Sequence, residues 1–118
     1  MKIVALTGGV GGSKLVYGLA NILKPEDLTI IVNTGDDFYH YGLYIAPDLD
    51  TICYTLAGLG NPKTGWGRAG DTYNMFDSLG VLGGDTWFLL GDKDLSVHME
   101  RTKLLGNGFS LSETTQIF

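Results

Sequence analysis

The sequence predicts an α/β protein with a Rossmann-like, doubly wound and mainly parallel sheet. Two short aliphatic runs, residues 2–6 and Leu28–Val32, have the length and apolar content of buried strands, and the second is rich in β-branched residues. Residues 13–23 lie between them and place Leu15, Leu19, Ile22 and Leu23 on one helical face. Strands that alternate with helices favour a parallel sheet.

Further elements follow along the chain. Residues 38–45 are rich in aromatic side chains and allow either a short strand or an irregular loop. Pro47-Asp48-Leu49-Asp50 is typical of a helix N-terminus, and the sequence after it predicts helices over residues 51–59, 71–79 and 95–105. A third short strand is predicted over residues 86–90.

The C-terminal residues, 110–118, are typical of the beginning of a helix. Ser110 or Ser112 is placed to cap this helix, and Glu113 falls in its first turn. Because the chain stops within a turn or two of that start, we expect residues 1–118 to be an incomplete fragment of a larger domain.

The composition excludes several classes of function. The formal net charge of -5, from 8 basic and 13 acidic residues, disfavours nucleic acid as a partner, because a phosphate backbone requires a basic face. No apolar run approaches the ~20 residues of a membrane helix, and no signal peptide is visible. The single cysteine, Cys53, fits a reducing compartment. We expect a cytoplasmic protein with small-molecule partners, and we expect a homodimer.

A glycine-rich loop, Thr7-Gly-Gly-Val-Gly-Gly-Ser-Lys14, joins the first predicted strand to the first predicted helix. Glycines allow a close approach to a ligand, and a helix N-terminus presents unpaired N–H groups to a phosphate. The loop departs from the dinucleotide fingerprint at Lys14 and lacks the Gly-Lys-Ser/Thr ending of a Walker A loop. A tight crossover turn is the alternative. The predicted phosphate- and nucleotide-binding residues of the loop are Gly8, Gly9, Gly11, Gly12, Ser13 and Lys14.

Aspartates cluster after the second strand and at one helix start. Asn33, Asp36 and Asp37 follow the strand, where carboxylates can hold a metal ion or a substrate hydroxyl, although such residues are also common in solvated turns. Asp48 and Asp50 open the next helix, where one acid satisfies the helix terminus and the other is left as a Mg²⁺ ligand or general base. A phosphate ligand in an acidic protein indicates a divalent cation, so we expect Mg²⁺.

A third cluster, Gly91-Asp92-Lys93-Asp94, follows the third predicted strand. Because the carboxyl ends of parallel strands meet at one edge of a sheet, we expect all three clusters to lie there. In the next helix Asp94, His98 and Arg101 share one face, as a surface ion-pair network or as a basic pair that meets phosphates. Trp66 can stack on a flat ring or pack against the sheet, and the isolated His40 receives no role.

Taken in order, these segments resemble the 2-phospho-L-lactate transferase family of coenzyme F(420) biosynthesis. The resemblance rests on the glycine loop, Asn33-Thr-Gly-Asp-Asp, Pro47-Asp-Leu-Asp-Thr, Gly65-Trp-Gly and Leu90-Gly-Asp-Lys-Asp-Leu, together with His98 and Arg101. It covers the whole chain but only the N-terminal part of the family's length. It implies that residues 1–118 are the N-terminal nucleotide- and deazaflavin-binding portion of a longer transferase, and we expect this portion alone to be inactive.

The reaction that the resemblance implies requires Mg²⁺. The ribityl hydroxyl of the deazaflavin FO attacks the phosphorus that bears lactate or enolpyruvate in a guanosine diphosphate donor, and GMP leaves. Asp50 and Asp37 are the expected catalytic residues, and Asp36 and Asp50 the expected metal ligands. Asn33 and Arg101 are expected to join the loop in binding phosphates. The expected FO contacts are Asp50, Trp66 and Lys93, which stands where the family often has an arginine.

The sequence is also compatible with two other functions. One is a non-catalytic regulatory protein of similar fold, which binds a sugar nucleotide and has no FO site. The other is a nicotinamide oxidoreductase, which the broken dinucleotide fingerprint disfavours.

Overall fold

The computed structural model describes residues 1–118 and contains a parallel β-sheet, an antiparallel hairpin and five α-helices. It divides into two compact units. The first is made of Met1–Asp37 and Ala46–Ala69, and the second of Phe38–Ile45 and Gly70–Phe118. No helix combines the length and the apolar character needed to cross a membrane.

The first unit is an α/β fold around a two-stranded parallel sheet. β1 (Ile3–Thr7) and β2 (Leu28–Val32) pair along their full length. α1 (Gly9–Ile22) and a 3₁₀ turn (Pro25–Asp27) form the connection between them, and α2 (Pro47–Leu56) packs on α1. The α/β class and the parallel sheet predicted from the sequence are therefore confirmed.

The core of this unit lies on one face of the sheet. Ala5 from β1, Val16 from α1 and Ile52 from α2 are buried at its centre, with Leu19, Leu28, Ile30 and Val32 packed around them. The other face of the sheet carries Val4, Leu6 and Ile31, which are more than half exposed. Parallel sheets are normally covered on both faces, so this open face is where a doubly wound sheet carries its second layer of helices.

The second unit contains a hairpin and three helices. β3 (Phe38–His40) and β4 (Leu43–Ile45) pair in antiparallel fashion. Residues 38–45, for which the sequence allowed a strand or a loop, therefore form a hairpin, and this hairpin interrupts the predicted alternation of strands and helices. α3 (Asn74–Val81) and α4 (Asp92–Gly106) follow, and α4 packs on β4. α5 (Leu111–Ile117) closes the chain.

α5 begins with the cap that its sequence predicts. The Ser110 hydroxyl accepts the backbone N–H of Glu113 at 3.1 Å, and the Glu113 carboxylate accepts the backbone N–H of Ser110 at 2.8 Å. The Ser110 backbone N–H, followed by its hydroxyl, holds the pKa of Glu113 below its usual value. This capping box satisfies groups that a short helix otherwise leaves to water.

The strand predicted over residues 86–90 is wrong. These residues pair with no strand and lead irregularly into α4. Their apolar character serves an aromatic cluster instead: the Trp87 and Phe88 rings lie 5.4 and 5.2 Å from the Phe38 ring, and the Trp87 ring lies 5.3 Å from the His40 ring. A short apolar run does not distinguish a strand from another buried segment.

The helices lie where they were predicted, with shifted ends. α1 begins at Gly9 rather than residue 13, and α4 begins at Asp92 rather than residue 95. α3 begins at Asn74 rather than residue 71. The earlier start of α1 has a consequence for the glycine loop, because most of its glycines belong to the first helical turn.

Candidate functional site

The glycine loop supplies the start of α1. Gly8 is the N-cap residue, and no side chain accepts a hydrogen bond there. Gly9, Gly11 and Gly12 follow in the first turn, which contains no acidic residue. The first backbone N–H groups of a helix lack intrahelical partners and carry a partial positive charge, so this end of α1 favours an anion.

Two other segments meet this helix start at the carboxyl edge of the sheet. The Asn33 N–H donates to the Thr7 carbonyl at 2.8 Å, which holds the end of β2 beside the end of β1. The Asn33 amide nitrogen donates to Asp48 Oδ2 at 2.8 Å and to Asp36 Oδ2 at 3.3 Å. A Cβ atom at Gly8 would lie 2.9 Å from Asp48 Oδ2. We call Gly8, Asn33, Asp36 and Asp48 the sheet-edge site.

The rest of the loop is tightly packed. A Cβ atom at Gly12 would overlap the hydroxyl of Thr7, which is buried and has no hydrogen-bond partner. The Ser13 side chain is buried too, and its hydroxyl donates to the Val10 carbonyl at 2.7 Å. Lys14 is exposed. The structure therefore explains Gly12 and Ser13 by packing within the loop, and their contact with a phosphate stays a prediction.

The predicted metal ligands lie in the same unit. Asp36 is exposed at the sheet edge, and Asp50 lies in the first turn of α2 with 7% of its surface exposed. Asp37 is half-buried beside Asp36. Carboxylate oxygens are the hard ligands that Mg²⁺ takes, and the joint use of Asp36 and Asp50 as its ligands stays a prediction. The sequence leaves open which of Asp48 and Asp50 serves the helix start, and Asp48 is the one that accepts from Asn33 at 2.8 Å and lies against Gly8.

In the second unit two aspartates cap each other's helix, an arrangement we call the aspartate exchange. Asp71 precedes α3 and accepts the N–H groups of Lys93 at 2.8 Å and Asp94 at 3.1 Å, at the start of α4. Asp92, the first residue of α4, accepts in return from Thr72, just before α3, and from Asn74 and Met75 in the first turn of α3. The N-terminus of α4 is thus already occupied by a carboxylate, unlike that of α1.

These hydrogen bonds lower the pKa of Asp92. The Thr72 hydroxyl contributes most, followed by the backbone N–H groups of Met75 and Asn74, and the pKa falls from 3.8 to about 2. A carboxyl with a lower pKa in the folded state stabilises the fold above its unfolded pKa, and this contribution is lost as the pH falls from 3.8 towards about 2.

We therefore expect Asp92→Asn to lower the thermal midpoint at neutral pH and to lose less stability than the wild type between pH 3.8 and about pH 2. Thermal unfolding followed by circular dichroism at several pH values measures this difference. Asp77→Asn is the matched control, because Asp77 is an exposed aspartate in the first turn of α3. Parallel acid profiles for Asp92→Asn and the wild type would contradict the expectation.

Asp94, His98 and Arg101 share one face of α4, as predicted, but the network is buried. His98 Nε2 lies 3.2 Å from Asp94 Oδ2, and Arg101 Nη1 lies 3.4 Å from His98 Nδ1. Since arginine only donates, the Nδ1 atom accepts and the ring proton is assigned to Nε2, facing Asp94. Arg101 also donates to the Tyr44 carbonyl at 3.3 Å and is 1% exposed. This burial weighs against a contact between Arg101 and a phosphate.

The glycine-rich loop after α2 is an ordered turn. Gly60 and Arg68 form an antiparallel bridge, and the Arg68 guanidinium lies 5.5 Å from the centre of the Tyr54 ring. Trp66 is 45% exposed, so its indole is available to stack on a ligand, which stays a prediction. A cavity of about 320 Å³ lies beside this loop, and its lining includes Lys14, Tyr17 and Asn61.

Comparison with known proteins places the chain in a family. Residues 3–118 match the family described as 2-phospho-L-lactate transferase CofD. The chain belongs to this family. The match runs through the glycine loop, the sheet-edge site and the aspartate exchange, and it confirms the resemblance carried by the ordered motifs.

Relatives named as transferases are similar over nearly all of this chain. A phosphoenolpyruvate transferase of Streptomyces avermitilis is 47% identical over 117 residues, which cover 98% of this chain and 37% of that protein. A 2-phospho-L-lactate transferase of Methanococcus maripaludis is 43% identical over 117 residues, which cover 99% of this chain and 38% of that protein. The chain spans little more than a third of the length of these relatives.

Proposed function

We propose that this chain is the N-terminal part of a transferase that moves a phosphate bearing lactate or enolpyruvate from a guanosine diphosphate donor to FO. One observation carries the proposal: α1 starts with an uncapped glycine and no acid in its first turn, beside the carboxylate of Asp48. Free N–H groups suit a phosphate, and adjacent carboxylates suit a phosphate-bound cation. Relatives named as phosphoenolpyruvate and 2-phospho-L-lactate transferases support it.

In the proposed reaction the ribityl hydroxyl oxygen of FO forms a bond to the phosphorus that carries the three-carbon acid. The bond from that phosphorus to the bridging oxygen breaks, and its electron pair leaves with GMP. Asp50 accepts the hydroxyl proton, with Asp37 as the second candidate. The N–H groups at the start of α1 hold and orient the donor diphosphate. Lys93 and Trp66 contact the acceptor.

Mg²⁺ is the proposed cofactor, with Asp36 and Asp50 as its ligands. When bound, the ion neutralises charge on the diphosphate. The Asn33 amide donates to both Asp36 and Asp48, so it sets the direction in which these carboxylates present their remaining lone pairs. A cytoplasmic location and a homodimer stay predictions.

An assay of the full-length protein tests the proposal. With FO, Mg²⁺ and a lactyl or enolpyruvyl guanosine diphosphate, we expect GMP and a deazaflavin phosphodiester to form in equal amounts, measured by chromatography with absorbance and fluorescence detection. EDTA should stop the reaction, and excess Mg²⁺ should restore it. Release of GMP at the same rate without FO would contradict the proposed acceptor.

The alternative is a non-catalytic regulatory protein that binds a sugar nucleotide through the same uncapped helix. The two functions differ in the acceptor site. Titration of FO in the presence of GDP should change the deazaflavin fluorescence for a transferase, whereas a regulatory protein should leave it unchanged. Calorimetry with NAD(P)H separates both from an oxidoreductase.

A further inference from the structure

We propose that Asp71 is a positioning residue for Lys93, and that the aspartate exchange orients the start of α4 in place of a preceding strand. The inference rests on the proposed function, in which Lys93 contacts the acceptor. In a parallel sheet the strand before a helix fixes where that helix begins. The residues before α4 belong to no strand, so another device must fix Lys93.

Asp71 holds the start of α4 through both carboxylate oxygens. Oδ1 accepts the N–H groups of Thr72 and Lys93, each at 2.8 Å, and Oδ2 accepts the N–H of Asp94 at 3.1 Å. A Cβ atom at Gly91 would overlap Asp71 Oδ2, so only glycine at this buried position lets the carboxylate approach so closely. Gly91 and Asp71 therefore act together on the backbone of Lys93.

Asp92 secures the same junction from the other side. Its Oδ2 accepts the Thr72 hydroxyl at 2.6 Å and the Asn74 N–H at 3.0 Å, and its Oδ1 accepts the Met75 N–H at 3.0 Å. Its own N–H donates to the Thr72 carbonyl at 2.7 Å. The starts of α3 and α4 are thus hydrogen-bonded directly to each other. The position of the start of α4 therefore does not depend on the irregular residues between the two helices.

The two aspartates have different consequences for Lys93. Asp71 bonds its backbone N–H, whereas the Asp92 carboxylate bonds only residues at the start of α3. The Lys93 side chain is exposed, so its ammonium is available to a ligand while its backbone is fixed. Misplacement of a substrate-contacting group by about 1 Å can cost up to about a hundredfold.

Variants of Asp71 in the full-length protein test this inference. Asp71→Ala is expected to raise the KM for FO about tenfold, with kcat and the donor KM changed less than about twofold. Hydrogen exchange should become faster in the peptide that carries residues 91–95. Asp71→Asn keeps one acceptor oxygen for the Lys93 N–H and should recover most of the FO KM. Ser110→Ala is the matched control, because it removes a helix cap elsewhere in the same unit.

The control separates positioning from general stability. Ser110→Ala should lower the thermal midpoint while the FO KM and the exchange of residues 91–95 stay at wild-type values. An unchanged FO KM in Asp71→Ala, or an equal rise of both KM values, overturns the inference. If the wild type does not transfer a group to FO, the proposed function is wrong. Hydrogen exchange then tests the positioning role by itself: if residues 91–95 exchange at the same rate in Asp71→Ala as in the wild type, Asp71 does not position Lys93.

Discussion

Gly8→Ala is expected to weaken binding of the guanosine diphosphate donor about a hundredfold, because it displaces a carboxylate at the edge of the proposed donor site. The backbone of Gly8 is extended, with φ -170° and ψ 158°, so alanine can adopt it without strain. The added Cβ atom would lie 2.9 Å from Asp48 Oδ2 and 3.1 Å from Asn33 Cβ. Asp48 must then move and lose its 2.8 Å hydrogen bond from Asn33.

Gly18→Ala is the control for this variant. Gly18 lies in the same helix and is exposed, and a Cβ atom added there would meet open space within 4 Å. Alanine there should stabilise the protein by about 0.5–1 kcal/mol and leave donor binding unchanged. Calorimetry with GDP and Mg²⁺ measures both variants. If Gly8→Ala binds GDP with the wild-type affinity, the sheet edge is not part of the proposed donor site.

The first unit could be predicted from local sequence because local and tertiary preferences agree there. The β-branched residues of β2 suit a buried parallel strand, and the glycines at the start of α1 suit an uncapped helix start. Asn33 could also be placed, because a residue that follows a parallel strand must lie at the carboxyl edge. Its 2.8 Å bond to the Thr7 carbonyl is the direct result of that topology.

The second unit was predicted less well because its conformation depends on contacts between segments that are distant in sequence. Residues 86–90 have a strand-like composition, yet Phe88 packs edge-on against Phe38, with ring centres 5.2 Å apart. Leu90 is 2% exposed without any strand pairing. Ring packing across about 50 residues of sequence leaves no periodic signal, so pattern alone favours a strand.

Two residues, one in each unit, have roles that the sequence did not predict. The sequence predicts Asp48 only as one of two acids at a helix start, yet its carboxylate accepts from Asn33, 15 residues earlier. Asp71 has no predicted role, because the sequence predicts a helix over residues 71–79 that begins at this residue. Nothing in the local sequence shows that Asp71 caps α4 and that Asp92 caps α3.

Asp50→Asn is expected to lower kcat of the full-length protein about a thousandfold while the fold is retained. The proposal gives Asp50 the proton of the attacking hydroxyl and a share of the Mg²⁺, and loss of a positioned base costs about 10²- to 10⁴-fold. Asparagine has nearly the same volume, so this buried position gains no cavity. Single-turnover rates and thermal unfolding measure the two effects separately.

Asp77→Asn is again a suitable control, because it also removes one carboxylate from the first turn of a helix, but at an exposed position. Its kcat should stay within about twofold of the wild type. A Mg²⁺ titration of Asp50→Asn distinguishes the two proposed roles of Asp50. If activity returns at high Mg²⁺, the variant has lost a metal ligand. If the rate stays low at saturating Mg²⁺, the variant has lost the general base. Wild-type turnover in Asp50→Asn at limiting Mg²⁺ would exclude both roles, and the proton would then have to pass to another carboxylate, with Asp37 as the next variant to measure.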